Sequence, residues 1–189
     1  MSMYISIQHV ALPMPTFHIL FVSSPLTIYT SLKTTVPNII PHSTRMSSQT
    51  ITYKNLPGPV GDCLKPSSLS TTATVPVSPT TSLVFTTGHI GLDLRTGALV
   101  NSSPEAEFEA IFNCLDEALK HAGITTGLCQ AYKFVSYLTS AQDEAVMQRI
   151  FHQRFPDATP TWATAIVKEI NVPGMRAEIV AEAVLFNDA

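Results

Sequence analysis

Charge is scarce in this chain and unevenly spread. Only 13% of its 189 residues are Asp, Glu, Lys or Arg, and the formal net charge is −3. Binding of nucleic acid or of an anionic membrane surface by charge needs a basic cluster, and the sequence contains none. Its apolar runs also fall short of the ~20 residues that a membrane-spanning helix needs. The composition therefore argues against nucleic acid and membrane as main partners.

Cysteines are few, and their number is odd. Cys63, Cys114 and Cys129 form no Cys-x-x-Cys pair, and neither they nor the six histidines have the spacing of a zinc site. We therefore expect reduced thiols in an intracellular protein and no bound metal. Gly-x-Ser-x-Gly, Walker and Gly-x-Gly-x-x-Gly motifs are absent as well, so no common nucleophile or phosphate-binding signature is available.

Acidic residues are missing from the first 45 residues, where Lys33 and Arg45 are the only charged side chains. This Ser-, Thr- and Pro-containing segment has three interpretations: a mitochondrial transit peptide, a gene-model extension before a start at Met46, or a structured arm. We expect residues 1–45 to lie outside the fold and residues 46–189 to form one domain. The predicted location is the cytoplasm, or the mitochondrion if the segment is a transit peptide.

Two amphipathic helices are predicted in the second half of the chain. The first follows Ser103 as its N-cap, has Pro104 at its first position and ends at Gly123. The second follows Ser140, its predicted cap, and closes before Pro156. Apolar residues recur every three or four positions in both segments, which predicts one buried stripe on each helix.

Strands are predicted around these helices from β-branched, aromatic or alternating patterns. They cover residues 49–54, 73–77, 83–87, 131–138, 160–170 and 176–185. The order places one helix before and one after the strand 131–138, with two strands joined by a short turn at the end. This arrangement predicts an α+β fold in which two helices lie on one face of a mixed sheet.

The final pair of predicted strands holds the most unusual residues. Trp162, the only tryptophan, opens the first strand, and Glu178 lies near the start of the second within an otherwise apolar segment. A partly desolvated Glu178 is suited to proton transfer, and the alternative is a rim carboxylate paired with Arg176 or with a neighbouring subunit. Trp162 is either a core residue or a substrate platform. His89, between two glycines, fits an exposed or turn-capping role better than acid–base catalysis.

Both faces of the last strand are too apolar for free contact with water. One row consists of Ala177, Ile179, Ala181, Ala183 and Leu185, and the other of Arg176, Glu178, Val180, Glu182 and Val184. Since the helices can cover only one face, a second subunit should cover the other. The sequence therefore predicts an oligomer.

Four segments together resemble the RidA/YjgF family, also called the RutC or L-PSP endoribonuclease-like family. The resemblance covers about Ile51 to Leu185 and rests on Val84–Asp93, His121–Gly123, the strand around Lys133 and Pro160–Ala183. It implies a chorismate-mutase-like α+β fold assembled as a homotrimer with ligand clefts between subunits. It also implies hydrolysis of reactive imines or enamines, such as 2-aminoacrylate, to a keto acid and ammonia, with no metal or organic cofactor.

The resemblance assigns roles to particular residues. Glu178 matches the catalytic glutamate that positions the attacking water, and Gly88 matches the glycine of a ligand-contacting turn. Trp162 stands where the family has an arginine that clamps the substrate carboxylate, so a larger, flatter or less acidic small-molecule substrate is expected. The expected substrate-binding set is Gly88, Tyr137, Trp162, Thr164 and Arg176.

Three functions remain open at this stage. The first is a RidA-like hydrolase with Glu178 as its acid/base. The second is a diverged enzyme of the same fold that catalyses an isomerisation, dehydration or cyclisation in a biosynthetic pathway. The third is a non-catalytic trimer that binds small molecules or proteins in its clefts. A ribonuclease is least favoured, because the sequence shows neither a basic groove nor a pair of catalytic histidines.

Overall fold

A computed structural model describes residues 50–187. The six strands are β1 (Thr52–Lys54), β2 (Thr72–Ser78), β3 (Thr81–Thr86), β4 (Ala131–Leu138), β5 (Thr161–Ile166) and β6 (Ala177–Phe186). The helices are α1 (Pro59–Asp62), α2 (Pro104–Ala122) and α3 (Asp143–Arg154), with a 3-10 turn at Gly127–Gln130. The predicted leader, residues 1–45, lies outside the described residues, so it and the location that depends on it stay predictions.

The bounds of α2 agree with the capping signals in its sequence. The Ser103 hydroxyl accepts a hydrogen bond from the Ala106 N–H at 3.2 Å, and Pro104 occupies the first turn. At the other end Gly123 adopts a left-handed conformation with φ 117°, which glycine tolerates best. The predicted first helix is confirmed.

The start of α3 differs from the prediction. Ser140 was expected to cap the helix, but α3 begins at Asp143 after Gln142, which makes no side-chain cap bond. The Ser140 hydroxyl instead accepts a bond from the Gln142 N–H at 3.3 Å, and its carbonyl accepts one from Asp143. Ser140 therefore closes a turn that precedes the helix, since local serine bonds compete with capping.

The sheet has the strand order β1-β2-β3-β6-β4-β5. β6 runs antiparallel to both β3 and β4, whereas β5 lies parallel to β4 at the edge. The prediction that residues 160–170 and 176–185 form two strands joined by a short turn is wrong. β4 lies between the two strands in the sheet, and the longer segment 167–176 connects them along the chain. A parallel β4–β5 pair needs a crossover, and α3 supplies it.

One face of the sheet is buried by α2 and α3. Fully buried side chains from both layers meet there, among them Phe108, Ile111, Phe112, Phe134, Leu138 and Ile179. Burying each large side chain stabilises the fold by about 1.5–3 kcal/mol. The predicted α+β fold, with two helices on one face of a mixed sheet, is confirmed.

The opposite face of the sheet has an apolar centre that is only partly buried. Leu83 and Phe85 of β3, Val135 of β4, and Val180 and Val184 of β6 lie on it. Neither long helix packs there, because the strand residues that contact them point the other way. Within residues 50–187, no helix is long and apolar enough to cross a membrane.

Candidate active site

The carboxylate of Glu178 lies directly against Gly88. Glu178 is the second residue of β6. Gly88 lies two residues after the end of β3, which is the neighbour of β6 in the sheet. A Cβ atom added to Gly88 would overlap the Glu178 side chain, with Oε1 as its nearest atom. Glycine is therefore required at position 88 for the carboxylate to occupy this place.

Backbone hydrogen bonds on both sides of Gly88 fix this approach. The His89 N–H donates to the Ile179 carbonyl at 2.9 Å, and the Ile179 N–H donates back to the His89 carbonyl at 3.0 Å. On the other side the Thr87 N–H donates to the Thr71 carbonyl at 2.9 Å. Because its two neighbours are held, Gly88 cannot move away from Glu178 without breaking these bonds.

Glu178 faces a cavity of about 350 Å³. The cavity lies between Gly88, the segment around α1 and the connection after β5, and its apolar lining includes Val60, Leu64, Leu69 and Val172. Among the described residues, none donates a hydrogen bond to the Glu178 carboxylate or forms an ion pair with it. Its oxygens are therefore available to a water molecule or a ligand.

His89 is buried, so its predicted exposed position is wrong. Only 3% of the residue is exposed, and burial lowers the pKa of the imidazole to about 4. Its Nε2 has no hydrogen-bond partner among the described residues. Since His89 pairs with Ile179, whose side chain points towards the helices, the imidazole lies on the side of the sheet opposite Glu178.

A second carboxylate lies in the core next to this site. Glu107 of α2 is fully buried, and its Oε1 accepts bonds from the N–H groups of Arg176, at 2.6 Å, and Ala177, at 3.0 Å. Its Oε2 lies 3.7 Å from the Arg176 Nε, within ion-pair range but too far for a hydrogen bond. Burial raises the pKa of the Glu107 carboxyl despite the lowering effect of these partners. Glu107 thereby anchors the start of β6, one residue before Glu178.

Replacing Glu107 by alanine is expected to reduce the free energy of unfolding by about 3 kcal/mol, because one buried and one partly buried N–H group lose their acceptor. Glu107→Gln keeps an acceptor oxygen and should cost much less.

The raised pKa of Glu107 means that the folded protein binds the proton more tightly than the unfolded chain. Wild-type stability should therefore fall as the pH rises from the ordinary value of 4.5 through the folded pKa, and Glu107→Gln should lack this fall. Denaturant unfolding at several pH values measures both effects.

Glu109→Ala is the matched control for this prediction. Glu109 lies on the same helix, but its carboxylate is half exposed and pairs with Arg154 at 3.0 Å. Exposed ion pairs contribute about 0–1 kcal/mol, so this variant should stay close to wild type. Equal losses from Glu107→Ala and Glu109→Ala would contradict the anchoring role.

Among the predicted substrate-binding residues, Gly88 and Tyr137 lie next to Glu178. Tyr137 of β4 is the direct cross-strand partner of Glu178 and is 39% exposed on the same face. Arg176 does not pair with Glu178 as the alternation pattern suggested. Its guanidinium turns towards Glu107 because the buried carboxylate there attracts it.

Trp162 and Thr164 lie on the other face of the sheet. The Trp162 ring stacks on Phe134 with 4.6 Å between centroids and meets Phe151 edge-on at 5.1 Å. Its indole N–H donates to the Ser136 hydroxyl at 2.7 Å, and Thr164 is the neighbour of Ser136 across β4–β5. Because both side chains belong to the helix-covered face, the cavity around Glu178 includes neither of them.

Sequence reasoning missed the segments that close the cavity. Residues 60–69 and the pair Asn171 and Val172 contribute to its lining. Their composition marks them only as Ser-, Pro- and Gly-containing connections, and α1 has four residues, too few to show a periodic pattern. The one usable signal is Gly58-Pro59, a typical helix start. Within the described part of the chain, His, Cys, Asp and Glu side chains do not gather into a metal-ligand group.

Fold and site together define an α+β protein with one carboxylate set against a glycine in a small-molecule-sized cavity. The model of the family described as Endoribonuclease L-PSP matches residues 69–185, more than half of the chain. The chain belongs to this family, and its resemblance to RidA/YjgF proteins is confirmed. Membership supports a role in small-molecule processing.

Solved structures of the same fold agree with this placement. RidA from the bacterium Psychrobacter is 26% identical with a TM-score of 0.52, and the match covers 64% of this chain and 89% of that one. Rv2704 from Mycobacterium tuberculosis, a YjgF/YER057c/UK114 family member, is 19% identical with a TM-score of 0.56 over 71% and 98%. TdcF from E. coli with bound serine is 20% identical with a TM-score of 0.53 over 62% and 88%. The curated proteins contain no match.

Proposed function

We propose that this protein hydrolyses imines or enamines to a carbonyl compound and ammonia, with Glu178 as the general base. One observation carries the proposal. The Glu178 carboxylate is held against Gly88 at the wall of a cavity, and no partner within residues 50–187 occupies its oxygens. A carboxylate in this state can bind and deprotonate a water molecule.

The proposed reaction needs one acid/base group. Glu178 accepts a proton from water while the water oxygen forms a bond to the carbon of the C=N group. The protonated Glu178 then returns the proton to nitrogen, which gives a carbinolamine. Glu178 next accepts the proton of the carbinolamine hydroxyl and delivers it to the amino group, so the C=O bond forms as the C–N bond breaks and ammonia leaves. The products are a carbonyl compound and ammonia, so water and imine are consumed in equal amounts and Glu178 is regenerated. An enamine first becomes an imine by taking a proton on its β-carbon and losing one from its nitrogen.

Two features of related proteins support a small substrate. The RidA family resemblance covers the segments that carry Gly88 and Glu178. The TdcF structure holds serine, which shows that this fold accepts a molecule of that size in a relative. A cavity of 350 Å³ in this chain has room for such a ligand and for somewhat larger ones.

The geometry favours a hydrolase of small molecules over the endoribonuclease that the family description names. RNA cleavage would bring a phosphodiester next to Glu178, and the two negative charges repel. His89, the one histidine that lines the cavity in the described part of the chain, has its imidazole buried and neutral on the other side of the sheet. The net charge of −3 also offers no general attraction for RNA.

Ammonia release from two imines tests the proposal. One substrate is 2-aminoacrylate generated in situ, and the other is benzophenone imine, a ketimine without a carboxylate. The full chain is expected to accelerate at least one of these reactions well beyond buffer, since general acid–base catalysis contributes roughly 10²–10⁴-fold. Rates equal to buffer for both substrates would reject the hydrolase, leaving a binding protein or another reaction of the same fold.

We also propose that three copies assemble through the open face of the sheet. Its partly exposed apolar centre, including Phe85, Val135 and Val180, needs cover, and the family resemblance implies a trimer. Light scattering on the purified protein should give three times the chain mass of 20.5 kDa. A stable monomer at micromolar concentration would contradict the assembly and would remove the intersubunit cleft.

A further inference from the structure

The described residues that line the cavity around Glu178 carry charge of only one sign. Among residues 50–187, Glu178 is the only Asp, Glu, Lys or Arg that lines it. His89 adds no positive charge, because burial lowers the pKa of its imidazole to about 4. The rest of the lining is neutral, with apolar side chains from Val60, Leu64, Leu69, Ile90, Leu92 and Val172. From the described residues of its own chain, a ligand in this cavity therefore meets a single negative charge in a largely apolar setting.

Three of the cations on neighbouring elements are paired with other carboxylates, and Lys168, which has no such partner among the described residues, lines a different cavity. Arg176, two residues before Glu178, is drawn to the buried Glu107. Lys133, on the same sheet face as Glu178, pairs with Glu182 at 2.7 Å. Lys65, next to the cavity-lining Leu64, pairs with Asp62 at 2.6 Å. In the described chain, none of these cations lines the cavity.

This charge distribution selects among imines. A substrate carboxylate about 4 Å from Glu178 would be repelled strongly enough to weaken binding by more than tenfold in a partly apolar site. A carboxylate-free imine avoids this repulsion. Once protonated, it is an iminium cation that Glu178 attracts by the same physics. The apolar lining adds favourable contact for a hydrocarbon body.

We infer that the substrate of this site is an imine or enamine without a carboxylate, with an apolar body and a neutral or cationic C=N group. Imines of amino acids, such as 2-aminoacrylate, are then poor substrates. The inference rests on the proposed function, because it specifies the substrate of the same site. It also predicts a charge preference in ligand binding, which can be measured without any turnover.

Three planar ligands of nearly equal shape form the test: benzoate, benzamide and benzamidine. At neutral pH they carry negative, zero and positive charge on the same ring. Titration calorimetry with the full chain should rank benzamidine tightest and benzoate weakest, with at least a tenfold difference between them. Glu178→Gln removes the charge that discriminates, so the affinities of the three ligands should fall within about threefold of one another.

Thiol labelling shows where the ligands bind. Cys63 is exposed and lines the cavity, whereas Cys129 is exposed and does not line it. Bound benzamidine should slow alkylation of Cys63 and leave that of Cys129 unchanged. Protection of both thiols or of neither would overturn the inference, because the measured affinities would then not belong to this cavity.

Binding of benzoate as tight as or tighter than that of benzamidine would also overturn it, and would show that a cation, for example from a neighbouring subunit, reaches the site. This failure is separate from failure of the proposed function. Fast hydrolysis of 2-aminoacrylate together with tight benzoate binding keeps the hydrolase and rejects the substrate class. Absence of any hydrolysis with the ligand order retained rejects the hydrolase and keeps the charge preference of the cavity.

Discussion

Glu178→Gln is expected to lower the rate constant of imine hydrolysis by at least 100-fold. The substitution keeps the size of the side chain and its position against Gly88, but an amide cannot take a proton from water. General acid–base groups contribute roughly 10²–10⁴-fold, and Glu178 is the only carboxylate among the described residues that lines the cavity. The loss should appear in kcat, with a smaller change in KM, because the proton transfer occurs after binding. Steady-state ammonia release measures both constants.

Glu182→Gln is the matched control for this variant. Glu182 lies on the same strand and the same sheet face, but it accepts hydrogen bonds from Tyr132, at 2.8 Å, and Lys133, at 2.7 Å. These bonds are partly exposed and remote from the cavity lining, so the hydrolysis rate should stay within about threefold of wild type. A Glu178→Gln variant as active as Glu182→Gln would remove Glu178 from the chemistry.

Gly88→Ala is expected to reduce the hydrolysis rate by roughly 100-fold while the protein remains folded. The added methyl group would occupy the space of the Glu178 carboxylate, and the paired backbone of His89 prevents the chain from yielding. The carboxylate has to move instead, and a displacement of about 1 Å can cost 100-fold in rate. Gly88 is not among the glycines with positive φ, so alanine introduces no backbone strain.

Thermal unfolding provides the control for Gly88→Ala, since the clash is with the end of a flexible side chain rather than with backbone. The melting temperature should remain within a few degrees of wild type, roughly the shift that 1 kcal/mol produces. A well-folded Gly88→Ala protein with an unchanged rate would show that the carboxylate acts from another position.

Local signals in the sequence were sufficient for the separate elements. Ser103 and Gly123 bracket α2 because capping depends on a few consecutive residues. β4 was recognisable from Ala131–Leu138, whose aromatic residues on both faces indicated a strand inside a sheet. The two-layer α+β arrangement then follows from the order of the elements.

The pairing of distant strands could not be predicted from these local signals. Alternation along one strand tells which residues share a face, but the register against the neighbouring strand decides which face that is. Trp162 pairs with Phe134 and therefore lies under the helices, while Glu178 pairs with Tyr137 on the open face. Arg176 departs even from its own alternation, because Glu107 is 69 residues away in sequence and attracts it only in the folded chain.

The candidate site was predictable in part. Glu178 followed from its place in an apolar strand and from the family resemblance, which also indicated Gly88. The close contact between them depends on the β3–β6 pairing and on the His89–Ile179 bridge, neither of which has a local sequence signal. The cavity depends on residues 60–69, whose sequence has no hydrophobic period that would predict a helix or a strand.

The hydrolysis rate of the double variant Gly88→Ala/Glu178→Gln shows whether these two residues form one catalytic unit. If Gly88 acts only by placing the Glu178 carboxylate, adding Gly88→Ala to Glu178→Gln should lower the rate by less than about threefold. A strongly non-additive result is therefore expected. Two losses that multiply, each near 100-fold, would contradict it and show that Gly88 and Glu178 act independently.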